Sequence, residues 1–273
     1  MNETINTFVG QNASTIRDKM ESIHPHLDKS VYLKALFEGI KVADLEILTL
    51  VDYAAVQTTG NTLSNGPVGG KFINRVNKAL TIARLFEAAF KNNPGGSWIE
   101  CGVWFGFTGI IYCEIAKQID PSFDGTGLYL LDSYEGLSEK CDKDTPATFN
   151  FESNAITAVN YSNNFICSLE KVTSQFQAYE NITLIKGWIP QVFPHVPEKG
   201  WSFVHIDVDL YEPTLACLEY FYDRLLPGGI MICDDYLTPW FPGAMKAWDG
   251  FCAQRGISFA ILDSGQSLIV KDS

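Results

Sequence analysis

Apolar positions follow two rhythms along the chain, and the change between them comes near residue 95. Before it, apolar residues recur at steps of three and four, which predicts one amphipathic helix through Phe72, Val76, Leu80, Ala83, Phe86 and Phe90. Pro94-Gly95-Gly96 predicts the end of this helix, and the glycine-rich stretch Gly60–Gly70 predicts a loop ahead of it. We therefore expect residues 1–95 to form a helical N-terminal extension.

After residue 95, short apolar runs alternate with longer amphipathic ones. The runs predict strands at Trp98–Cys101, Gly127–Leu131, Ile182–Lys186, Trp201–Ile206 and Gly229–Cys233, and helices at Thr108–Lys117 and Pro213–Leu226. Strands that alternate with helices require crossover connections, so we expect a doubly wound, mostly parallel α/β sheet over residues 96–273. Ser258–Leu262 and Ser267–Val270 flank an Asp-Ser-Gly turn and predict an antiparallel C-terminal hairpin. This order resembles the seven-stranded, Rossmann-like sheet of class I methyltransferases.

Residues 134–165 fit neither rhythm. The stretch is polar, rich in Asn, Thr, Ser and Asp, and long for a connection between two elements. Loops of this length are usually functional or disordered. Two interpretations stay open at this point: a lid over a site, or a surface excursion.

A glycine-rich turn follows the first predicted strand and opens the next helix. Its spacing, Gly-x-x-x-Gly-x-x-Gly from Gly102 to Gly109, differs from the Gly-x-Gly-x-x-Gly of a dinucleotide-binding turn. A wider turn preceded by an acid, Glu100, suits a cationic or zwitterionic ligand such as S-adenosylmethionine. Gly102 would then face the amino-acid end of this ligand, and Glu100 would order its ammonium directly or through water. The alternative is a tight strand-to-helix turn that binds no ligand.

Acidic residues end three of the predicted strands. Asp132 ends the second strand, where an acid commonly holds ribose hydroxyls, although it could also only cap a turn. Asp207 and Asp209 follow one buried-looking strand, and Asp234-Asp235 follows another. These four carboxylates would meet at the carboxyl edge of the sheet and repel one another unless a cation lies between them. Oxygen ligands favour Mg²⁺, then Mn²⁺ or Ca²⁺; the alternative is that these acids are helix caps and solvated turn residues.

Composition narrows the setting of this chemistry. Lys and Arg number 20 against 32 Asp and Glu, a formal net charge of −12, so a nucleic-acid partner is not expected. The seven cysteines show no Cys-x-x-Cys spacing, which favours free thiols and a reducing, cytoplasmic setting. The longest apolar runs are too short for a membrane span, and the polar N-terminus does not look like a signal peptide.

These motifs together resemble the macrocin O-methyltransferase (TylF/MycF) family from about Arg75 to Phe251. The resemblance depends on the order and spacing of Glu100–Trp104, Asp132–Leu137, Lys186–Trp188, His205–Tyr211, Pro227–Gly229 and Asp234–Tyr236. Members of the family use S-adenosylmethionine and Mg²⁺ to methylate sugar hydroxyls of natural products. The resemblance therefore implies a transferase that acts in natural product biosynthesis on a small-molecule hydroxyl acceptor, a sugar or glycoside.

The resemblance also implies roles for individual residues. Asp209 would be the general base, and Asp207, Asp234 and Asp235 would hold the metal. The expected cofactor-binding residues are Glu100, Gly102, Val103, Trp104, Gly106, Thr108, Asp132, Ser133, Gly187, Trp188 and Asp207, with Gly187-Trp188 near the adenine. Tyr134, Tyr211 and Tyr236 are the candidate acceptor contacts. His205 is interpreted as a packed strand residue.

The chain departs from the family pattern after Trp104. The family typically has Arg-Gly-Gly where this chain has Phe105-Gly106-Phe107, which removes a cation and a glycine beside the cofactor turn. The first 70 residues also match poorly, so the acceptor is open. Family members self-associate, and we expect a homo-oligomer, a dimer. An alternative function is a metal-dependent glycosyltransferase that uses Asp207-Val208-Asp209 as an Asp-x-Asp site.

Overall fold

The strands of the protein form one seven-stranded sheet in a computed structural model that describes residues 45–59, 72–145, 165–238 and 241–272. The strands are β1 (Trp98–Cys101), β2 (Leu128–Asp132), β3 (Thr183–Lys186), β4 (Trp201–Ile206), β5 (Leu225–Cys233), β6 (Ala260–Ile261) and β7 (Ser267–Val270). Their order in the sheet is β3-β2-β1-β4-β5-β7-β6. The first five strands are parallel, and β7 is antiparallel to both β5 and β6. The predicted parallel sheet and antiparallel hairpin are confirmed.

The described helices include the three that the sequence predicted individually, together with others that it did not. They are α1 (Leu45–Thr59), α2 (Phe72–Asn92), α3 (Phe107–Ile119), α4 (Leu169–Gln175), α5 (Tyr211–Phe221) and α6 (Pro242–Arg255). Short 3₁₀ turns occupy Asp142–Asp144, Phe193–His195 and Tyr222–Arg224. The predicted apolar stripe of α2 is buried at Val76, Leu80, Ala83, Phe86 and Phe90.

The predicted end of the helix Pro213–Leu226 is wrong. Helix α5 stops at Phe221, and β5 already begins at Leu225, which pairs with Trp201. A register shift between Trp201 and Phe203 accommodates the longer β5, so Pro227-Gly228-Gly229 lies inside this strand. Leu225 is buried, and this burial favours strand pairing over another helical turn.

The chain divides into two units, Met1–Ala83 and Arg84–Ser273. The sequence placed the boundary at residue 95, whereas this division falls inside α2. In the first unit, Ile47, Val51 and Ala54 of α1 are buried at helical spacing. In the second, the ring of Tyr112 on α3 lies 5.6 Å from that of Phe203 on β4, which packs this helix on the sheet.

Three sequence expectations concern parts or properties beyond the sheet. Most of the predicted lid, residues 146–164, lies outside the described residues, as do residues 1–44. All seven cysteines are free, and six of them are buried, which confirms that they form no disulfide framework. Within the described ranges, no helix is both long and apolar enough to cross a bilayer.

Candidate active site

The turn after β1 brings two strand ends into backbone contact. Gly102 and Gly106 have left-handed backbones, with φ of +91° and +82°. A Cβ atom on Gly102 would overlap the carbonyl oxygen of Asp207, and the Asp207 N–H donates to the Cys101 carbonyl at 2.8 Å. Glycine at position 102 therefore allows the glycine turn, residues 102–109, to lie directly against the end of β4.

Asp132 binds the backbone of the glycine turn. Its Oδ2 accepts hydrogen bonds from the N–H groups of Val103, at 2.6 Å, and Trp104, at 2.9 Å. Its Oδ1 accepts one from the N–H of Tyr134 at 2.6 Å. A carboxylate has about four lone-pair positions, so three backbone donors leave capacity for a ribose hydroxyl. The turn-capping role considered from the sequence is thus present.

A line of buried charged groups runs beneath the site from Glu100 to Asp234. The Nδ1 atom of His205 lies 3.2 Å from Glu100 Oε1, and its Nε2 atom lies 3.6 Å from Asp234 Oδ1. The side chains of His205 and Glu100 are 0% and 1% exposed. The hydroxyl of Tyr112 is 2.9 Å from the same Nδ1 atom. His205 is a packed strand residue, as interpreted, but it also lies between two carboxylates.

The electrostatics of this line follow from its burial. Burial raises the pKa of Glu100, against the opposing contacts with His205 and Thr108. For His205, burial alone would lower the pKa, but hydrogen bonding to Asp234 and Glu100 outweighs it and raises the pKa to about 9. Because Glu100 faces His205 and does not reach the surface, this geometry does not support direct contact of Glu100 with a cofactor ammonium.

The carboxylates of Asp207, Asp234 and Asp235 form an aspartate cluster at the carboxyl edge of β4 and β5. Each offers one oxygen, and these three atoms all lie within 4.8 Å of one another. The side chain of Asp234 is 13% exposed, and Asp235 is 8% exposed. Three oxygens at this spacing can surround a hard divalent cation, which would offset their mutual repulsion.

Asp209 lies beside the aspartate cluster in sequence but is not one of its members. It is 8% exposed and has a left-handed backbone with φ of +60°. Helix α5 begins two residues later, at Tyr211. The turn at Asp209 thus lies between Asp207 and the start of α5, although both acids belong to the same Asp-x-Asp sequence.

The remaining expected cofactor residues occupy the ends of β2 and β3. The Ser133 hydroxyl donates to the Gly136 carbonyl at 3.0 Å, and the Gly187 N–H donates to the Asp132 carbonyl at 2.9 Å. Trp188 is half-buried and lines a cavity of about 480 Å³, together with residues that include Leu137 and Glu212. Of these expected cofactor residues, Trp188 therefore borders a concave space.

The three candidate acceptor tyrosines have different surroundings. Tyr134 has φ of +59°, and its hydroxyl is buried with no hydrogen-bond partner among the described residues. Tyr211 lies under the ammonium of Lys143, which is 3.6 Å from its ring centroid. The Tyr236 hydroxyl donates to Asp249 Oδ1 at 2.8 Å, so it is already engaged by α6.

The departure from the family pattern at Phe105-Gly106-Phe107 keeps the left-handed glycine of the turn. Gly106 caps α3, and its N–H donates to the Val103 carbonyl at 2.8 Å. The ammonium of Lys171, on α4, lies 4.7 Å from the Phe105 ring centroid. A cation is therefore present beside this position, supplied from another element.

Two buried polar residues near the site were not predicted from the sequence. Asp144 is 3% exposed and accepts from the N–H groups of Cys141 and Tyr211, at 2.9 and 2.7 Å. Gln266 is 0% exposed and donates to Asp234 Oδ1 at 2.6 Å. Gln266 had one usable signal, since a polar residue at the start of an apolar strand is unusual; Asp144 had none within its polar stretch.

Comparisons with known proteins agree on one family. A family model described as Macrocin-O-methyltransferase (TylF) matches residues 68–265. The mycinamicin III 3''-O-methyltransferase of Micromonospora griseorubida is 28% identical over 206 residues, which cover 74% of this chain and 76% of that protein. The 8-demethyl-8-(2,3-dimethoxy-alpha-L-rhamnosyl)-tetracenomycin-C 4'-O-methyltransferase of Streptomyces olivaceus is 28% identical over 158 residues, 55% of this chain and 56% of that protein.

Solved structures show the same fold. The structure of the O-methyltransferase NovP matches with a TM-score of 0.61 and 20% sequence identity. The match covers 90% of this chain and 100% of the NovP chain. The sheet order and the antiparallel end of the sheet are thus those of a class I methyltransferase.

Proposed function

The chain belongs to the macrocin-O-methyltransferase (TylF) family and is therefore an O-methyltransferase, and we propose that it methylates a hydroxyl of a sugar or glycosylated natural product. S-adenosylmethionine is the methyl donor, and the reaction depends on a divalent metal. The observation that carries the proposal is the aspartate cluster, which lies against the glycine turn at one edge of the sheet. The rhamnosyl group in the name of the Streptomyces olivaceus relative's substrate supports a sugar acceptor.

The cofactor is held by the ends of β1, β2 and β3. The glycine turn, with Val103, Trp104, Gly106 and Thr108, receives the amino-acid end. Asp132 and Ser133 bind the ribose, and Gly187-Trp188 borders the adenine. Glu100 supports this surface from beneath through its contact with His205, because its own carboxylate is buried.

The chemistry of the aspartate cluster fits a metal ion. Asp207, Asp234 and Asp235 supply oxygen ligands only, which suits Mg²⁺ first and Mn²⁺ or Ca²⁺ next. Three buried or half-buried like charges within 4.8 Å also gain stability from a cation. When bound, the metal lowers the pKa of the acceptor hydroxyl and orients its oxygen.

The protein residues then complete the transfer. Asp209 accepts the proton of the acceptor hydroxyl as its oxygen attacks the methyl carbon. S-adenosylmethionine would supply the methyl group with cleavage of its carbon–sulfur bond, leaving a neutral thioether, and the Asp209 carboxylate would hold the proton. The remaining requirement is alignment of oxygen, carbon and sulfur, which is a matter of positioning. Tyr134 and Tyr211 are the acceptor contacts we favour, since the Tyr236 hydroxyl is engaged with Asp249.

The glycosyltransferase alternative is not retained. It required Asp207 and Asp209 to act as a pair, whereas the aspartate cluster joins Asp207 to Asp234 and Asp235. The family match over residues 68–265 also names an O-methyltransferase.

A transfer assay tests the proposal. Purified protein is incubated with S-adenosylmethionine labelled in the methyl group and a panel of glycosides and phenols, with and without EDTA. We expect label in a glycoside, no transfer after full chelation, and recovery on addition of Mg²⁺. Transfer that survives chelation would refute the metal requirement, and label only in phenols would refute the sugar acceptor.

We also propose a homodimer, which light scattering of the same sample tests.

A further inference from the structure

Gln266 lies opposite Asp234 at the end of the β5–β7 ladder. Cys233 pairs with Ser267 in the antiparallel register, so the next position on each chain places Asp234 beside Gln266. Gln266 is 0% exposed, which is unusual for an uncharged amide unless its polar atoms have partners. The family match ends at residue 265, one residue before this position.

Both ends of the Gln266 amide are engaged. Its Nε2 atom donates to Asp234 Oδ1 at 2.6 Å, and its Oε1 atom lies 2.6 Å from the Ser264 hydroxyl, which donates to it. A carboxylate only accepts hydrogen bonds, so the NH₂ end of the amide must be the one that faces Asp234. The assignment of the two amide ends therefore follows from the chemistry of the neighbours.

The backbone around Gln266 is also fixed. Its carbonyl accepts from the Leu262 N–H at 2.9 Å, and the Gly265 N–H donates to the Leu262 carbonyl at 2.8 Å. The Gly265 carbonyl in turn accepts from the Leu237 N–H at 2.9 Å, which ties the hairpin turn to the segment after Asp235. These backbone hydrogen bonds thus hold the segment from which the Gln266 amide extends.

We propose that Gln266 is a positioning residue that fixes the carboxylate of Asp234 for metal binding. The inference rests on the proposed function, because it takes Asp234 as a metal ligand. The amide of Gln266 and the Nε2 atom of His205, 3.6 Å away, approach the same oxygen of Asp234 from two elements. This contact sets the rotation of the carboxylate before a cation arrives. Partners of metal ligands typically change metal affinity by about 10- to 100-fold when removed.

The test compares Mn²⁺ affinity in three proteins. Gln266→Leu keeps the size of the side chain but removes its donor. Ile261→Ala changes an exposed residue of the same hairpin and is the matched control. Mn²⁺ alone is titrated into each full-length protein, and free Mn²⁺ is measured by electron paramagnetic resonance. We expect about 10- to 100-fold weaker Mn²⁺ binding in Gln266→Leu, with wild-type affinity in Ile261→Ala.

Two further measurements separate positioning from damage. The affinity for S-adenosylmethionine, measured by calorimetry without metal, is expected to stay at the wild-type value in Gln266→Leu. Ser264→Ala removes the donor to the other end of the amide and is expected to weaken Mn²⁺ binding by a smaller factor. If Gln266→Leu does not fold, Ser264→Ala replaces it as the test variant. Unchanged Mn²⁺ affinity in folded Gln266→Leu, or an equal loss in Ile261→Ala, would overturn the inference. Failure of the wild-type protein to bind Mn²⁺ would instead remove the proposed metal site itself.

Discussion

Among the residues that the structure describes, three other than glycine adopt left-handed backbone conformations, and all three lie at the candidate site. They are Trp104 in the glycine turn, Tyr134 after β2 and Asp209 after β4, with φ between +46° and +60°. Such conformations cost about 1–3 kcal/mol each and persist only where the surrounding structure imposes them. The hydrogen bonds from Trp104 and Tyr134 to Asp132 impose two of them. Local strain is therefore concentrated where the cofactor and acceptor are proposed to meet.

Asp209→Asn tests the general base with little change of shape. Asn tolerates a left-handed backbone, so the turn at φ +60° should be retained while the proton acceptor is lost. We expect the rate of methyl transfer at saturating substrate to fall by about 10²- to 10⁴-fold. Affinities for Mn²⁺ and S-adenosylmethionine should remain at wild-type values. A transfer rate within tenfold of wild type would contradict the assignment.

Gly102→Ala tests the close approach of β1 and β4. The added Cβ would overlap the Asp207 carbonyl. The alanine would also have to adopt a left-handed backbone with φ of +91°. We expect a loss of about 1–3 kcal/mol in the free energy of unfolding in urea, together with weaker Mn²⁺ binding. Gly250→Ala is the control, because Gly250 lies on the exposed face of α6 and its Cβ would meet no heavy atom within 4 Å. Equal effects of the two substitutions would count against the proposed contact.

His205→Leu tests the buried line of charges. The substitution leaves the Glu100 carboxylate buried without its imidazole partner, and breaking such a pair costs roughly 3–5 kcal/mol. Burial raises the pKa of Glu100, so proton uptake by the unpaired carboxylate relieves part of this deficit. Urea unfolding of the variant and the wild-type protein at pH 7 measures the deficit. Adding Glu100→Gln should recover part of the loss; no recovery would show that packing alone is responsible.

At the scale of elements, Asp144 joins the segment after β2 to the start of α5. Its two oxygens accept from Cys141 and from Tyr211, the first residue of α5. Gly243 of α6 packs so closely that a Cβ there would overlap Asp144 Oδ1. The Lys246 ammonium also donates to the Lys143 carbonyl. Three elements thus converge on the buried carboxylate of Asp144, whose partner Tyr211 lies two residues beyond Asp209.

Asp144→Ala is expected to loosen this junction. Two part-buried backbone N–H groups would lose the acceptor that Asp144 provides, which costs about 1–3 kcal/mol in the free energy of unfolding. Asp142→Ala changes an exposed acid in the same 3₁₀ turn and should stay within about 0.5 kcal/mol of wild type. Chemical denaturation of both variants makes the comparison. Similar losses in both would mean that the turn, and not the carboxylate of Asp144, provides the stability.

Helices and strands were predicted well from the sequence where a short stretch of residues determines them, and poorly where contacts with distant residues do. Strands β1 and β4 were predicted residue for residue, because each is a short apolar run buried throughout. Helix α6 was not predicted, although Pro242 at its first turn and the spacing of Ala244, Ala247, Trp248 and Phe251 indicate it. The end of α5 was wrong because strand pairing of Leu225, a tertiary effect, outweighs local propensity.

The features of the candidate site also differ in how well the sequence predicts them. The meeting of Asp207, Asp234 and Asp235 was predictable, because parallel strands bring their carboxyl ends to one edge. The partners of Asp234, Tyr211 and His205 were not predictable, since Gln266, Asp144 and Glu100 lie 32, 67 and 105 positions away from them in the chain. Such contacts depend on the registers of separate elements, which no local pattern specifies.

For the molecule as a whole, the net charge of −12 means that a bound cation should stabilise the folded protein in addition to supporting the reaction. A ligand that binds only the folded state, at a free concentration of 100 times its dissociation constant, raises the free energy of unfolding by about 2.7 kcal/mol. We expect Mg²⁺ to raise the thermal unfolding midpoint and EDTA to reverse the rise. Asp235→Asn should abolish the rise while leaving the metal-free midpoint equal or higher, because it relieves like-charge repulsion. An undiminished Mg²⁺ effect in Asp235→Asn would argue against the site.

The backbone of Asp209 also bears on how such an enzyme can lose its activity. Asp codons become Asn or Gly codons by single-base changes, and both residues accept a left-handed backbone as readily as Asp. Glu keeps the carboxylate but fits this conformation less well. Asn or Gly at position 209 would therefore keep the turn and remove the proposed proton acceptor. Loss of methyl transfer through such a change would leave the fold in place.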